Sequence, residues 1–169
     1  MYNKILVIGC PGSGKSTFSR RLRDITGLPL FYLDMLYHKP DKTTVSSQEF
    51  DEKLKAILNN DKWIIDGNYQ RTMAVRLECC DTVFWLDYPT ELCLESIKSR
   101  IGKPREDMPW IETEFDEEFF EYVRNFNDTQ RDGITELLDK FKEKNIIVFY
   151  SREQSENFLN DLKECKKCR

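Results

Sequence analysis

Short apolar runs alternate along this chain with longer stretches in which apolar residues recur every three or four positions. The runs Lys4–Gly9, Pro29–Leu33, Trp63–Asp66, Thr82–Asp87 and Asn145–Tyr150 have the length and the β-branched or aromatic content of strands. Between them the period is helical: Phe18, Leu22 and Ile25 share one face, and Phe50, Leu54, Ile57 and Leu58 share another. Apolar strands separated by amphipathic helices predict an α/β fold whose parallel sheet is covered on both faces.

Local signals place several boundaries. Ser46-x-x-Glu49 and Ser151-x-x-Gln154 are capping boxes at the heads of two helices, and Gly27 with Pro29 stops the first one. A long helical region, interrupted at Gly133, carries Phe115, Phe119, Val123 and Phe126, then Ile134, Leu137, Leu138 and Phe141, and these stripes read as core faces. The segment 102–113 holds Pro104, Pro109 and many charges without periodicity, so it reads as a loop and a candidate lid. No repeat, linker or second composition divides the 169 residues, which are expected to form one domain.

Composition narrows the function classes. A net charge of −4 offers no general attraction to nucleic acid or acidic lipid, so neither partner is expected. The N-terminal apolar run is too short for a signal peptide or membrane span, which predicts a cytoplasmic protein with six reduced cysteines. Cys165 and Cys168 form a lone C-x-x-C, and no second ligand pair accompanies it, so a frayed helix end is expected there rather than a zinc site.

The chemistry begins at Gly9-Cys10-Pro11-Gly12-Ser13-Gly14-Lys15-Ser16, which fits G-x-x-x-x-G-K-[ST]. Glycines let successive N–H groups turn inward as a nest for phosphate oxygens, and the following helix, through Thr17, points its positive end at the same place. Lys15 is positioned for the β- and γ-phosphates and the Ser16 hydroxyl for Mg²⁺, with ATP as the expected nucleotide. An apolar strand enters the loop and an amphipathic helix leaves it, as the motif requires.

Mg²⁺ prefers hard oxygen ligands, so carboxylates at strand ends are candidates. Asp66 closes Trp63-Ile64-Ile65 and is the expected metal-side carboxylate, whereas Asp34 follows Phe31-Tyr32-Leu33. Asp87 also ends a strand, but Pro89-Thr90 follows as a helix start and favours a capping role there. A transferring phosphoryl group is stabilised by cations, and Arg100 and Arg105 flank the start of the lid segment. The single His38 and the aromatic residues Tyr37, Tyr69 and Trp110 lie near the acceptor side in sequence and serve equally well as packing.

Together, Gly9–Ser16, Asp66-Gly67 and the short Arg-flanked lid resemble the adenylate-kinase-like P-loop kinases. Phe31-Tyr32-Leu33-Asp34-x-Leu36, Trp63–Tyr69 and Phe84–Pro89 bring the likeness closer to the bacterial topology modulation proteins. The resemblance implies a three-layer P-loop NTPase fold with a five-stranded parallel sheet in the order 2-3-1-4-5. It also implies that Arg100 contacts transferring phosphate and that Asp34, Asn68, Tyr69 and Arg71 face the acceptor. Where those kinases stack an arginine on adenine this chain has Ser96, so donor-base contacts are expected from Ser151 and Arg152. The acidic run Glu106–Glu118 argues against direct DNA contact despite the topology label. The leading expectation is a kinase passing the γ-phosphoryl of Mg-ATP to a small acceptor. The alternative is a nucleotide-dependent regulatory protein of the same fold.

Overall fold

The computed structural model describes residues 2–167. Five strands, β1 (Lys4–Gly9), β2 (Leu30–Tyr32), β3 (Trp63–Asp66), β4 (Thr82–Leu86) and β5 (Asn145–Phe149), form one sheet. Its order is β2-β3-β1-β4-β5 and every pair is parallel. The architecture is therefore the α/β P-loop sheet, order 2-3-1-4-5, that the alternating pattern and the resemblance imply. Ile5 to Ile8 and Trp63 to Ile65 are fully buried, because helices cover both faces of these central strands.

The helices are α1 (Lys15–Thr26), α2 (Leu33–Tyr37), α3 (Ser47–Leu58), α4 (Met73–Cys79) and α5 (Thr90–Arg100). They continue with α6 (Glu117–Arg124), α7 (Phe126–Thr129), α8 (Arg131–Asp139) and α9 (Arg152–Lys167). Ser46 Oγ accepts from the Glu49 N–H at 3.1 Å, and Ser151 Oγ from the Gln154 N–H at 3.3 Å, so the serine half of each capping box forms, while Gln154 Oε1 accepts from Tyr150 N–H and Glu49 pairs with Lys53. Gly27 takes the left-handed conformation after α1, with its N–H on Arg23 C=O.

Three local expectations are corrected. The second strand ends at Tyr32, because Leu33 already begins the one-turn helix α2 and carries Asp34 off the strand. The long helical region breaks after Arg124 and Thr129, not at Gly133, which lies inside α8. At the first break Asn125 turns its amide onto the Glu121 C=O, a local bond that competes with the helix. Phe115 is not a core residue: Asp116 caps α6 through the Phe119 N–H, leaving Phe115 outside the helix and 49% exposed. Segment 102–113 contains neither helix nor strand, as expected of a loop. Cys165 is exposed near the end of α9, while Cys168 lies outside the described residues. Among those residues no helix is long and apolar enough to cross a membrane.

Candidate functional site

Strand register brings the site together. Gly9 lies opposite Leu86, and Asp66 lies between Val7 and Tyr32, so the carboxyl ends of β1, β2, β3 and β4 share one edge. A cavity of about 1520 Å³ opens there, between the phosphate loop and segment 102–113.

The loop is shaped by close backbone contact. Gly12 has φ +85°, and a side chain there would meet the Cys93 carbonyl oxygen of α5 at 2.3 Å. Only glycine satisfies both conditions. Lys15 Nζ donates to the carbonyls of Gly9 (2.9 Å) and Cys10 (3.0 Å), arching over the loop. Pro11, Gly12, Ser13, Gly14, Lys15, Ser16 and Thr17 all line the cavity, whereas Gly9 anchors the loop from behind.

That anchor is Asn68. Its Oδ1 accepts from the Gly9 N–H at 3.0 Å and its Nδ2 donates to the Gly9 C=O at 2.6 Å. The side chain expected on the acceptor is thus committed to the phosphate loop. Tyr69 next to it holds a left-handed backbone, φ 33°, and donates its hydroxyl to Asp34 Oδ1 at 2.8 Å. Its ring stacks on Phe50 with centroids 5.2 Å apart.

One residue that holds this segment was not singled out from the sequence. Arg76 of α4 is fully buried and donates to the carbonyls of Gly67 (2.8 Å), Asn68, Tyr69 (2.9 Å) and Thr72 (3.3 Å). A helical arginine at i+4 from Thr72 looks like a surface residue, and only the folded turn brings four carbonyls to it. By contrast, Arg71 does not line the cavity. It forms a two-point pair with Asp51 at 2.7 and 2.9 Å, so its expected place on the acceptor is not where the structure puts it.

Asp66 is 4% exposed, and its Oδ2 has no hydrogen-bond partner. Burial pushes its carboxyl up to about 7, with the Lys15 charge and the nearby Ser16 hydroxyl opposing the rise. An orphaned, buried carboxylate oxygen beside a motif hydroxyl fits a hard divalent cation such as Mg²⁺. Among the described residues no three His, Cys, Asp or Glu side chains gather as a metal cage.

Segment 102–113 closes over the loop. Arg105 pairs with Asp107 at 2.6 Å and Glu112 at 3.0 Å, and Arg100 pairs with Glu112 at 2.8 Å. Arg100 also lies over the Phe119 ring, 5.5 Å from its centroid. Trp110 meets His38 edge-on with centroids 5.0 Å apart, so the loop touches the acceptor side as well. On the donor side Arg152 lines the cavity and donates to Ser96 Oγ at 2.5 Å, while Ser151 is spent on its cap. Asp87 does not cap α5; it accepts both Nε and Nη2 of Arg131, at 3.0 and 2.8 Å.

No protein-family model and no curated protein matches this sequence. Solved structures do match. A shikimate kinase from Bacteroides thetaiotaomicron superposes with a TM-score of 0.57 and 14% identity, over 99% of this chain and 99% of that one. The shikimate kinase from Acinetobacter baumannii in complex with shikimate gives 0.62 and 16%, over 98% and 96%. At these identities the likeness establishes the fold alone: the chain has the three-layer α/β P-loop NTPase fold, with its sheet in the order 2-3-1-4-5, seen in these shikimate kinases.

Proposed function

We propose that this chain is a phosphotransferase that passes the γ-phosphoryl of Mg-ATP to a hydroxyl of a small acceptor. The observation that carries the reading is the position of Asp34. Its carboxylate, held by the Tyr69 hydroxyl at 2.8 Å, lines the same cavity as Lys15, Ser16 and Arg100. A carboxylate across a cavity from a phosphate nest is placed to orient an acceptor hydroxyl and take its proton.

In this reading the chain is one domain over residues 1–169, with 102–113 as its lid. Backbone N–H groups of the loop and Lys15 bind the β- and γ-phosphates, and Arg100 with Arg105 neutralises charge on the transferring group. Ser16 and Asp66 would hold a divalent cation, which would supply charge neutralisation for the triphosphate. Arg152 and Ser96 take the base of the donor. Asp34 and Tyr69 take the acceptor, and Asn68 serves them by holding the loop. The lid excludes water and so limits hydrolysis. A small-molecule partner, a cytoplasmic setting with thiols reduced, and no direct nucleic-acid contact complete the proposal. The shikimate bound by one structural neighbour supports a hydroxylated acceptor.

A second reading, a nucleotide-dependent regulator, is favoured by one observation. Arg100 at the end of α5 and Arg105 in the lid are both already paired with lid carboxylates, Glu112 and Asp107. ADP production from Mg-ATP decides between them, measured against shikimate, nucleosides, nucleoside monophosphates and small polyols. The kinase reading expects one acceptor to raise turnover well above hydrolysis, Lys15→Ala to abolish it, and Asp34→Ala to lower it about 100-fold or more. ATP binding without stimulation by any acceptor would hand the case to the regulator.

A further inference from the structure

Asp107 is a charged residue of an irregular loop, yet it is 5% exposed and reaches the phosphate loop. Its Oδ2 accepts from Ser16 Oγ at 2.7 Å and from Arg105 Nη2 at 2.6 Å, while Oδ1 accepts from Arg105 Nε at 3.1 Å. The hydroxyl it touches is the one that the phosphate-loop motif assigns to a cation.

A second observation points the same way. The orphaned Oδ2 of Asp66, on a side chain all but buried, lies in the same cavity beside Ser16. Charge then shows what the place lacks. Five carboxylates from the lid region (Glu106, Asp107, Glu112, Glu114, Asp116) join Asp34, Asp66 and Glu156 in the lining, against six Lys and Arg side chains. A triphosphate entering that excess of negative charge needs a divalent cation between.

We propose that Asp107 is a lid-borne ligand of the divalent cation at Ser16 and Asp66, so that the cation itself draws the lid shut. The inference rests on the reading of Ser16 as the metal-side hydroxyl. Oxygens adjacent on an octahedral Mg²⁺ with bonds of 2.0–2.1 Å lie about 3 Å apart. Ser16 Oγ and Asp107 Oδ2, at 2.7 Å, share one ion with little movement. Arg105 keeps hold of Oδ1 and so fixes the orientation of the carboxylate, as outer partners of metal ligands do. Loading of the donor is thereby tied to water exclusion: the lid has its full anchor only when metal and nucleotide are both present.

The test titrates Mn²⁺ into the full-length protein with a non-hydrolysable ATP analogue, counting free Mn²⁺ by electron paramagnetic resonance. Asp107→Asn preserves size and an acceptor for Ser16, and is expected to weaken Mn²⁺ binding about tenfold or more. Nucleotide affinity in the presence of EDTA should stay unchanged. Glu106→Gln, a lid carboxylate that pairs with Arg23 instead, should leave Mn²⁺ affinity intact. Trp110 supplies a second readout: its fluorescence response to Mg²⁺ with nucleotide should vanish in Asp107→Asn and persist in Glu106→Gln. Unaltered Mn²⁺ affinity in Asp107→Asn overturns the proposal. So does tighter nucleotide binding, which would make Asp107 a competitor that must leave. A wild-type protein that binds the nucleotide analogue yet takes up no Mn²⁺ with it overturns it too. Asp107-dependent Mn²⁺ binding without transfer to any acceptor would leave this inference standing while the kinase reading falls.

Discussion

Asn68 holds Gly9 by both backbone groups, accepting from its N–H at 3.0 Å and donating to its C=O at 2.6 Å. One amide side chain at the end of β3 thus sets the entry to the phosphate loop at the end of β1. Asn68→Ala leaves the buried Gly9 N–H without a partner and the Gly9 C=O to Lys15 alone, and should cost about 2 kcal/mol of stability. Asn68→Asp keeps the acceptor and loses the donor, so nucleotide affinity should fall in both variants. Denaturant unfolding together with nucleotide titration checks the pair; unchanged affinity in Asn68→Ala would remove the residue from the site.

Two glycines of the loop separate conformational strain from crowding. Gly12 (φ +85°) and Gly14 (φ +91°) both sit where side chains are strained, but only Gly12 has a neighbour, the Cys93 carbonyl, at 2.3 Å from a built Cβ. Gly14→Ala should cost about 1–2 kcal/mol from strain alone. Gly12→Ala should cost that plus about 1–3 kcal/mol for displacing α5. Equal losses in thermal or denaturant midpoints would show that α5 yields freely.

Arg76 binds four carbonyls and no carboxylate, so its work is to hold the 67–72 turn. Arg76→Met fills the space but strands buried acceptors, and should cost at least about 3 kcal/mol. Arg76→Lys should recover only part of this, because one ammonium cannot span four carbonyls. Since the turn carries Tyr69, turnover should fall more than that of a surface variant of equal stability. Denaturant unfolding and initial rates measured side by side make the comparison.

Asp66 makes stability depend on pH. A carboxyl raised to about 7 in the folded state favours the fold most below its ordinary value of 3.8, and that contribution is lost as pH rises through 7. The free protein should therefore lose stability between pH 4 and pH 8, by about 4 kcal/mol at most. Asp66→Asn should flatten the slope. Mg²⁺ with nucleotide should offset the loss at pH 8, since a metal binds the charged form. Unfolding midpoints at pH 5 and 8, with and without Mg-nucleotide, decide it; a slope that survives in Asp66→Asn would assign the effect elsewhere.

Much of the molecule was legible from local pattern. Lys4–Gly9 and Trp63–Asp66 read as buried strands because Ile5–Ile8 and Trp63–Ile65 are unbroken apolar runs. Gly9–Ser16 read as a phosphate nest because glycine, lysine and serine at that spacing have few other uses. The parallel order 2-3-1-4-5 came from the family likeness. Local pattern misjudged Phe115, where an Asp116 cap outweighed the aromatic period, and Asp87, whose partner Arg131 lies 44 residues away.

What the sequence determined by itself is whatever depends on neighbours along the chain: strands, helices, caps and the glycine-rich loop Gly9–Ser16. Tertiary structure alone decided which side chains those elements serve. Asn68 was committed to Gly9, Arg76 to the turn after β3, Arg71 to Asp51, and Asp107 to Ser16. The physical reason is that hydrogen bonds and ion pairs act over about 3 Å of space. Partners such as Ser16 and Asp107, 91 residues apart, meet only after the sheet has set the distance between the loops at its edge.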